Sequence, residues 1–421
     1  MKSFWEIVKL EFTAAVRSRA LPILAVVSSL WMLLLPSLVA SDGTAQGAHE
    51  VYVRYSLGVV FALLAVTLGA SAAGSIARDR AARRLQLTLV RPVRYFTIAL
   101  GRTVALTLVG AIVLSLCAVL ALVRTGEPLG RNAYHVLSPV MESPRSEAER
   151  MYDVYMADPE TPDEVKQAKK GAVLRLLTQK AVDHYQTIGT NETVRWTFPS
   201  VPPSALSLAV RLRFTNMFDK RDDVRGEFAI GDCRTSISNI TQAVLTAPFV
   251  LDGKSSFDGP LTFRNDGANG LMLRPRKDIN LLYGTEFSCF ATNLAAATVE
   301  LVCMLAAIVA FAMFLSASLG RSVAVFTTAA MLFLTAVSPA VIEQYPDQLE
   351  TDRKDRIGLV LTRLVRQATS PIGAYSPIQD LSEDVCLELP DIARCVAFDL
   401  LLLPLLLSLA AGAVMPRKQQ D

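Results

Sequence analysis

The stretch from Gly74 to Arg102 lies between two uncharged runs of membrane length, Tyr55 to Ala77 and Thr103 to Val123. It carries Arg78, Arg80, Arg83, Arg84, Arg91, Arg94 and Arg102, with Asp79 as its one acid. A helix needs about 20 apolar residues to cross the hydrocarbon of a bilayer, so the flanking runs read as spans. Basic residues in a short loop between spans mark the cytoplasmic face. The segment 78–102 is therefore expected inside, and the side of every other segment follows from it.

Taken in order, residues 1–19 place Trp5, Val8, Phe12 and Ala15 at helical spacing, with Lys2, Lys9 and Glu11 between them. This pattern predicts an amphipathic helix lying in the membrane interface. The apolar run that follows is too long for the core of a signal peptide. Span one is Ala20 to Ala40, span two Tyr55 to Ala77 and span three Thr103 to Val123, so residues 20–123 form a first membrane block. Residues 124–286 are expected outside the cytoplasm. In their first part, Ser146 with Glu149 and Thr161 with Glu164 read as helix-capping pairs, which predicts helices over 147–157 and 162–186. Alternating apolar residues at 206–214, 224–230, 260–266 and 271–284 predict strands of a small β-sandwich.

Spans four and five occupy 287–342, with Gly320-Arg321 at the corner between them. An outer helical segment, 343–394, leads to span six at Cys395 to Met415, within the closing block 395–421. The predicted fold is mainly α: a six-span polytopic membrane protein with both termini cytoplasmic. A large extracytoplasmic α+β insert, helices followed by a β-sandwich, separates spans three and four.

Within the arginine-rich loop, Leu85, Leu87, Leu89 and Val90 alternate with charge and predict a short amphipathic helix, which Pro92 ends. Charge alone is satisfied by a topogenic loop; the apolar ridge suits docking of a soluble partner. The order of residues resembles the first cytoplasmic loop of ABC-2-type transporter permeases, the membrane subunits of one class of ABC exporter. Asp79 stands for that family's acid, Leu85-Gln86-Leu87 for its turn, Leu89-Val90 for its leucines, Pro92-Val93-Arg94 for its corner and Gly101-Arg102 for the entry to the next span. Arg83 and Gln86 depart from the family's glycine and acid.

The resemblance implies a permease half of an ATP-driven exporter docked on separate ABC ATPase subunits through Asp79, Leu85, Leu89, Val90, Arg91 and Pro92. It implies a second permease half (an identical copy or a paralogue), a bacterial inner-membrane location, and no catalysis by this chain. ATP and Mg would sit on the partner. No Gly-x-x-x-x-Gly-Lys-Ser/Thr loop occurs in the sequence, in keeping with hydrolysis elsewhere. The large insert motivates an alternative, a mechanotransmission protein whose outer domain acts on a periplasmic partner without transport.

A net charge of +3 gives no bulk case for nucleic-acid binding; lipids are the expected surroundings. His49, His135 and His184 are scattered without ligand spacing, so no metal or cofactor is expected on this chain. Cys117 and Cys303 fall in apolar runs and read as packing residues. Cys233 with Cys289, and Cys386 with Cys395, fall on the outer side, where disulfides are permitted; free thiols remain the other reading. Glu300 and Asp399 are acids within spans, expected either to snorkel or, for Glu300, to face the seam between permease halves. An intramembrane aspartyl protease would carry a Gly-Asp or Tyr-Asp pair in a span, whereas Asp399 follows Phe398.

Overall fold

The computed structural model describes residues 2–39, 45–82, 94–125, 133–141, 143–157, 170–182, 186–202, 204–213, 215–216, 224–231, 233–240, 244–249, 259–267, 270–285, 289–344 and 377–415. In chain order the helices are α1 (Lys2–Arg17), α2 (Ala20–Leu38), α3 (Ala45–Ala81), α4 (Tyr95–Thr125), α5 (Pro144–Ala157), α6 (Lys170–Val182) and α7 (Pro275–Asp278). They continue as α8 (Phe290–Ser318), α9 (Arg321–Gln344), α10 (Pro377–Ser382) and α11 (Leu389–Val414). The chain divides into a helical unit, built from its two ends, and a second unit over 132–288.

In the helical unit, α3, α4, α8 and α11 are long and apolar enough to cross a membrane. Helices α1 and α2, bent by 62° between them, add a fifth if taken together; α9 is apolar over Arg321–Phe333. All six runs read as spans are thus helical, and four have the length and hydropathy of a crossing. Large apolar side chains such as Val66, Ile112, Val119 and Leu401 stand exposed, as a bilayer permits and water discourages.

The unit is built around α8. Over its most apolar stretch 78% of residues are buried, against 28% for α11, which makes α8 the central helix and α11 a peripheral one. On α3, Val53, Leu57, Val60, Leu64 and Leu68 recur every three or four residues and are all buried, forming one stripe toward α8 and α4. Close approach depends on Gly110 of α4. A Cβ there would meet Leu305 Cδ2 at 2.2 Å and Leu68 Cδ1 at 2.9 Å. Lipid gives no hydrophobic drive for helices to associate, so contact through small residues carries the packing.

The second unit holds eleven strands among the described residues, all paired antiparallel. One sheet has the order β1 (His135–Leu137), β11 (Ile279–Gly284), β4 (Ser207–Arg213), β8 (Val244–Phe249). Another has β3 (Thr193–Trp196), β9 (Leu261–Asn265), β6 (Val224–Ile230), β7 (Cys233–Ile240). A third joins β2 (Gln186–Ile188), β10 (Leu271–Leu273) and β5 (Thr215–Asn216). Their inward residues, Val210, Leu212, Phe228, Phe263, Leu271 and Leu281 among them, share one apolar core, with Phe228 and Phe263 at 4.6 Å between ring centroids.

Two local expectations are corrected. The strand expected over 271–284 is split by α7. Pro275 has no N–H to give a ladder, and Asp278 takes the backbone N–H of Arg274 at 2.7 Å and its guanidinium at 3.1 Å, closing a helical turn. The first insert helix begins at Pro144, three residues before the predicted start. Its cap is Ser143, whose hydroxyl accepts the N–H of Ser146 at 3.1 Å, while Glu149 pairs with Arg145 instead. The Thr161–Glu164 pair lies outside the described residues.

Candidate functional site

Three polar clusters occupy the helical unit. The first lies at the end of α3 and α4 that carries the arginine-rich loop. Arg102 is 8% exposed and sits between two acids. Its Nε forms an ion pair with Glu11 of α1 at 2.6 Å, and its Nη2 donates a hydrogen bond to Asp79 of α3. Beside it, Ile7 of α1 packs on Gly101, where a Cβ would meet Ile7 Cγ2 at 2.9 Å. Arg80 donates to the carbonyls of Ser316 and Ala317 at 2.8 and 3.1 Å, filling acceptors that the C-terminus of α8 leaves open. The Ser316 hydroxyl accepts the N–H groups of Ile76 and Ala77, each at 3.1 Å. Helices α1, α3, α4 and α8 are thereby tied together directly beneath the loop.

Asp79, the acid of the resemblance, lies on α3, which runs on to Ala81, and its carboxylate is taken by Arg102 inside the chain. Leu85, Leu89, Val90, Arg91 and Pro92 lie outside the described residues. The N-terminal helix shows Val8 buried, with Phe12 and Ala15 packed on the core, while Trp5 is 60% exposed beside Phe4. Leu10 and Val16 are exposed as well, and apolar side chains left uncovered on a helix whose other face is seated suit a membrane interface.

The second cluster lies at the opposite end of the spans. His49, expected in a loop, is on α3, 3.7 Å from the Asp384 carboxylate and edge-on to Phe290 at 5.0 Å. Asn293 of α8 donates to the carbonyl of Val385 at 2.7 Å and accepts the N–H of Leu387 at 2.9 Å. These bonds fasten the segment after α10 over the end of α8. On α10, burial first, and then Glu383 and Asp391, push the Asp380 carboxyl up to about 6.

The third cluster is inside the apolar layer, between α8 and α11. Glu300 and Asp399 are each 1% exposed. Cys395 Sγ lies 3.5 Å from Asp399 Oδ2 and 4.0 Å from the Glu300 carbonyl, and the Cys303 thiol lies beside it. Over Val396–Leu402 the helix widens to a π-helix. Pro404 explains this locally: it lacks the N–H for the α-helical ladder and its ring crowds the preceding turn, so the ladder shifts by one residue. Asp399 sits in that widened turn.

Glu300 is therefore enclosed by its own chain and neither snorkels nor faces a seam between halves. Of the two readings left open for the outer cysteines, the structure has free thiols: none of the six cysteines is bonded to another. Cys395 faces Cys303 in the membrane layer, Cys289 sits 3.4 Å from the Thr292 hydroxyl, and Cys233 is buried in the sandwich core. Cys303 is more than a packing residue. The spacing Glu300–Cys303 and Cys395–Asp399, three and four apart, puts each pair on one helix face, and that signal is present in the sequence. Among the described residues, no group of three or more His, Cys, Asp or Glu converges as metal ligands. No protein-family model, no curated protein and no solved structure matches the chain.

Proposed function

We propose that the chain is the transmembrane permease subunit of an ATP-driven ABC exporter, moving a substrate across or out of the membrane with ATP and Mg held on a separate ATPase. The observation that supports this best is the brace of Glu11, Arg102 and Asp79 beneath the arginine-rich loop. A loop that receives a push needs a stiff base. Here the brace links the interfacial helix to both flanking spans, and Arg80 extends the linkage to the central α8.

In this reading the loop and both termini are cytoplasmic, six segments cross a bacterial inner membrane, and residues 124–286 and 343–394 lie outside. Leu85, Leu89 and Val90 are the apolar anchors on the ATPase, Pro92 fixes the corner, and the arginines steer an acidic partner surface. The chain performs no catalysis itself and works beside a second permease half. A photo-crosslinking residue at position 89 tests the contact: it captures a P-loop ATPase if the reading holds, and captures only lipid or water if the loop is topogenic.

The folded insert, with an apolar core of its own, favours a second reading in which ATPase cycles reshape that domain to act on a periplasmic partner. Deleting 132–285 separates the two. Transport that survives the deletion supports the exporter; hydrolysis that survives with loss of every cellular phenotype and no transport supports mechanotransmission.

A further inference from the structure

We propose that Glu300 of α8 and Asp399 of α11 each bind a proton within the membrane layer. Each is the eleventh residue of its helix, so each lies about 15 Å along the axis from the helix start, below the level of the polar end groups. Each is 1% exposed, and Glu300 Oε1 and Asp399 Oδ1 have no hydrogen-bond partner among the described residues. No Lys, Arg or His among those residues lies within ion-pair distance of either carboxyl.

A carboxyl group so placed needs a positive ligand, and the neighbourhood decides which. A hard metal cation requires about six oxygen ligands, whereas the side chains beside these acids are the thiols of Cys303 and Cys395. A soft metal would use the thiols, but no three ligands converge. A proton needs only one oxygen to hold it, and the Cys395 thiol, 3.5 Å from Asp399 Oδ2 and 4.0 Å from the Glu300 carbonyl, is the neighbour that a protonated carboxyl tolerates. The charged groups outside the layer that act on Glu300 are Asp380 of α10 and Asp391 of α11, and the one that acts on Asp399 is Arg394 of α11. The π-turn carrying Asp399 gives the site a mechanical outlet, since its ladder has an alternative α register.

Dicyclohexylcarbodiimide tests the site in the full chain reconstituted in phosphatidylcholine vesicles. This apolar reagent adds a protonated carboxyl across its C=N bond. The proton goes to nitrogen, the carboxyl oxygen bonds to the central carbon, and the acyl group then migrates to nitrogen as a stable N-acylurea with nothing leaving. Peptide mass spectrometry is expected to find the adduct on both Glu300 and Asp399 at pH 7, at least tenfold less of it at pH 9, and none with a water-soluble carbodiimide. Absence of adduct at pH 7, while the detergent-unfolded chain at pH 5 gives both modified peptides, overturns the proposal. So does equal labelling by the water-soluble reagent, which places the acids in water. The Glu300→Gln variant is expected to keep the Asp399 adduct; its complete loss, in protein that retains wild-type helicity, means that Asp399 holds no proton of its own and also overturns the proposal.

Discussion

Replacing Arg102 with Met removes a guanidinium from between two carboxylates while keeping the bulk of the side chain. The arginine side chain is 10% exposed, Glu11 21% and Asp79 23%, and the Glu11 contact is 2.6 Å. Breaking a fully buried ion pair costs about 3–5 kcal/mol and an exposed one about 0–1 kcal/mol. Acids about one-fifth exposed can regain part of their hydration, which places Arg102→Met near about 2–3 kcal/mol, or roughly 30- to 150-fold in the folding equilibrium. The triple variant Arg102→Met, Glu11→Gln, Asp79→Asn leaves no unpaired charge and is expected within about 1 kcal/mol of the parent. Unfolding titrated with dodecyl sulfate in mixed micelles, followed by helical circular dichroism, reads both. A single variant within about 0.5 kcal/mol of the parent would refute the brace, as would a triple variant as damaged as the single.

Gly110→Val is expected to push α4 from α3 and α8, because even a Cβ meets Leu305 at 2.2 Å; a loss of about 1–3 kcal/mol in the same titration is the expected cost of overpacking. Asn293→Leu orphans the carbonyl of Val385 and the N–H of Leu387, at about 1–3 kcal/mol for each group left dry, and should make the 377–388 segment open to limited proteolysis. Asp380 has its folded value raised from 3.8 to about 6, so the folded state holds this proton more tightly than the unfolded chain. Its contribution to stability is present at low pH and is lost as pH rises through about 4 to 6; Asp380→Asn should flatten that part of the profile.

The spans were legible because their signal is local. Val53, Leu57, Val60, Leu64 and Leu68 declare a buried helix face by spacing alone, and β4, β6 and β9 declare strands by alternation. What escaped depends on partners distant in sequence. Arg102 reads as one more topogenic charge until Glu11 and Asp79 are brought to it from two other helices. Cys395 reads as an outer cysteine near Cys386 until α11 lies against α8 and sets it beside Cys303. The π-turn around Asp399 was open to inference from Pro404, whose missing N–H disturbs any helix it enters. Strand β7, CRTSISNI, alternates too weakly for apolar patterning to reveal it, and its place is set by pairing along β6.

Docking of the arginine-rich loop on an ATPase is tested most directly by purifying the full chain from its native membrane, with and without Leu89→Asp. An unpaired charge driven into a packed contact costs several kcal/mol, enough to release a partner held at nanomolar strength into the micromolar range. The expected result is a P-loop ATPase co-purifying in fixed proportion with the parent chain, hydrolysing ATP in the complex, and absent from the Leu89→Asp preparation, whose helicity is unchanged. A parent chain that brings down no ATPase, or a Leu89→Asp chain that holds it and sustains hydrolysis equally well, contradicts the exporter reading.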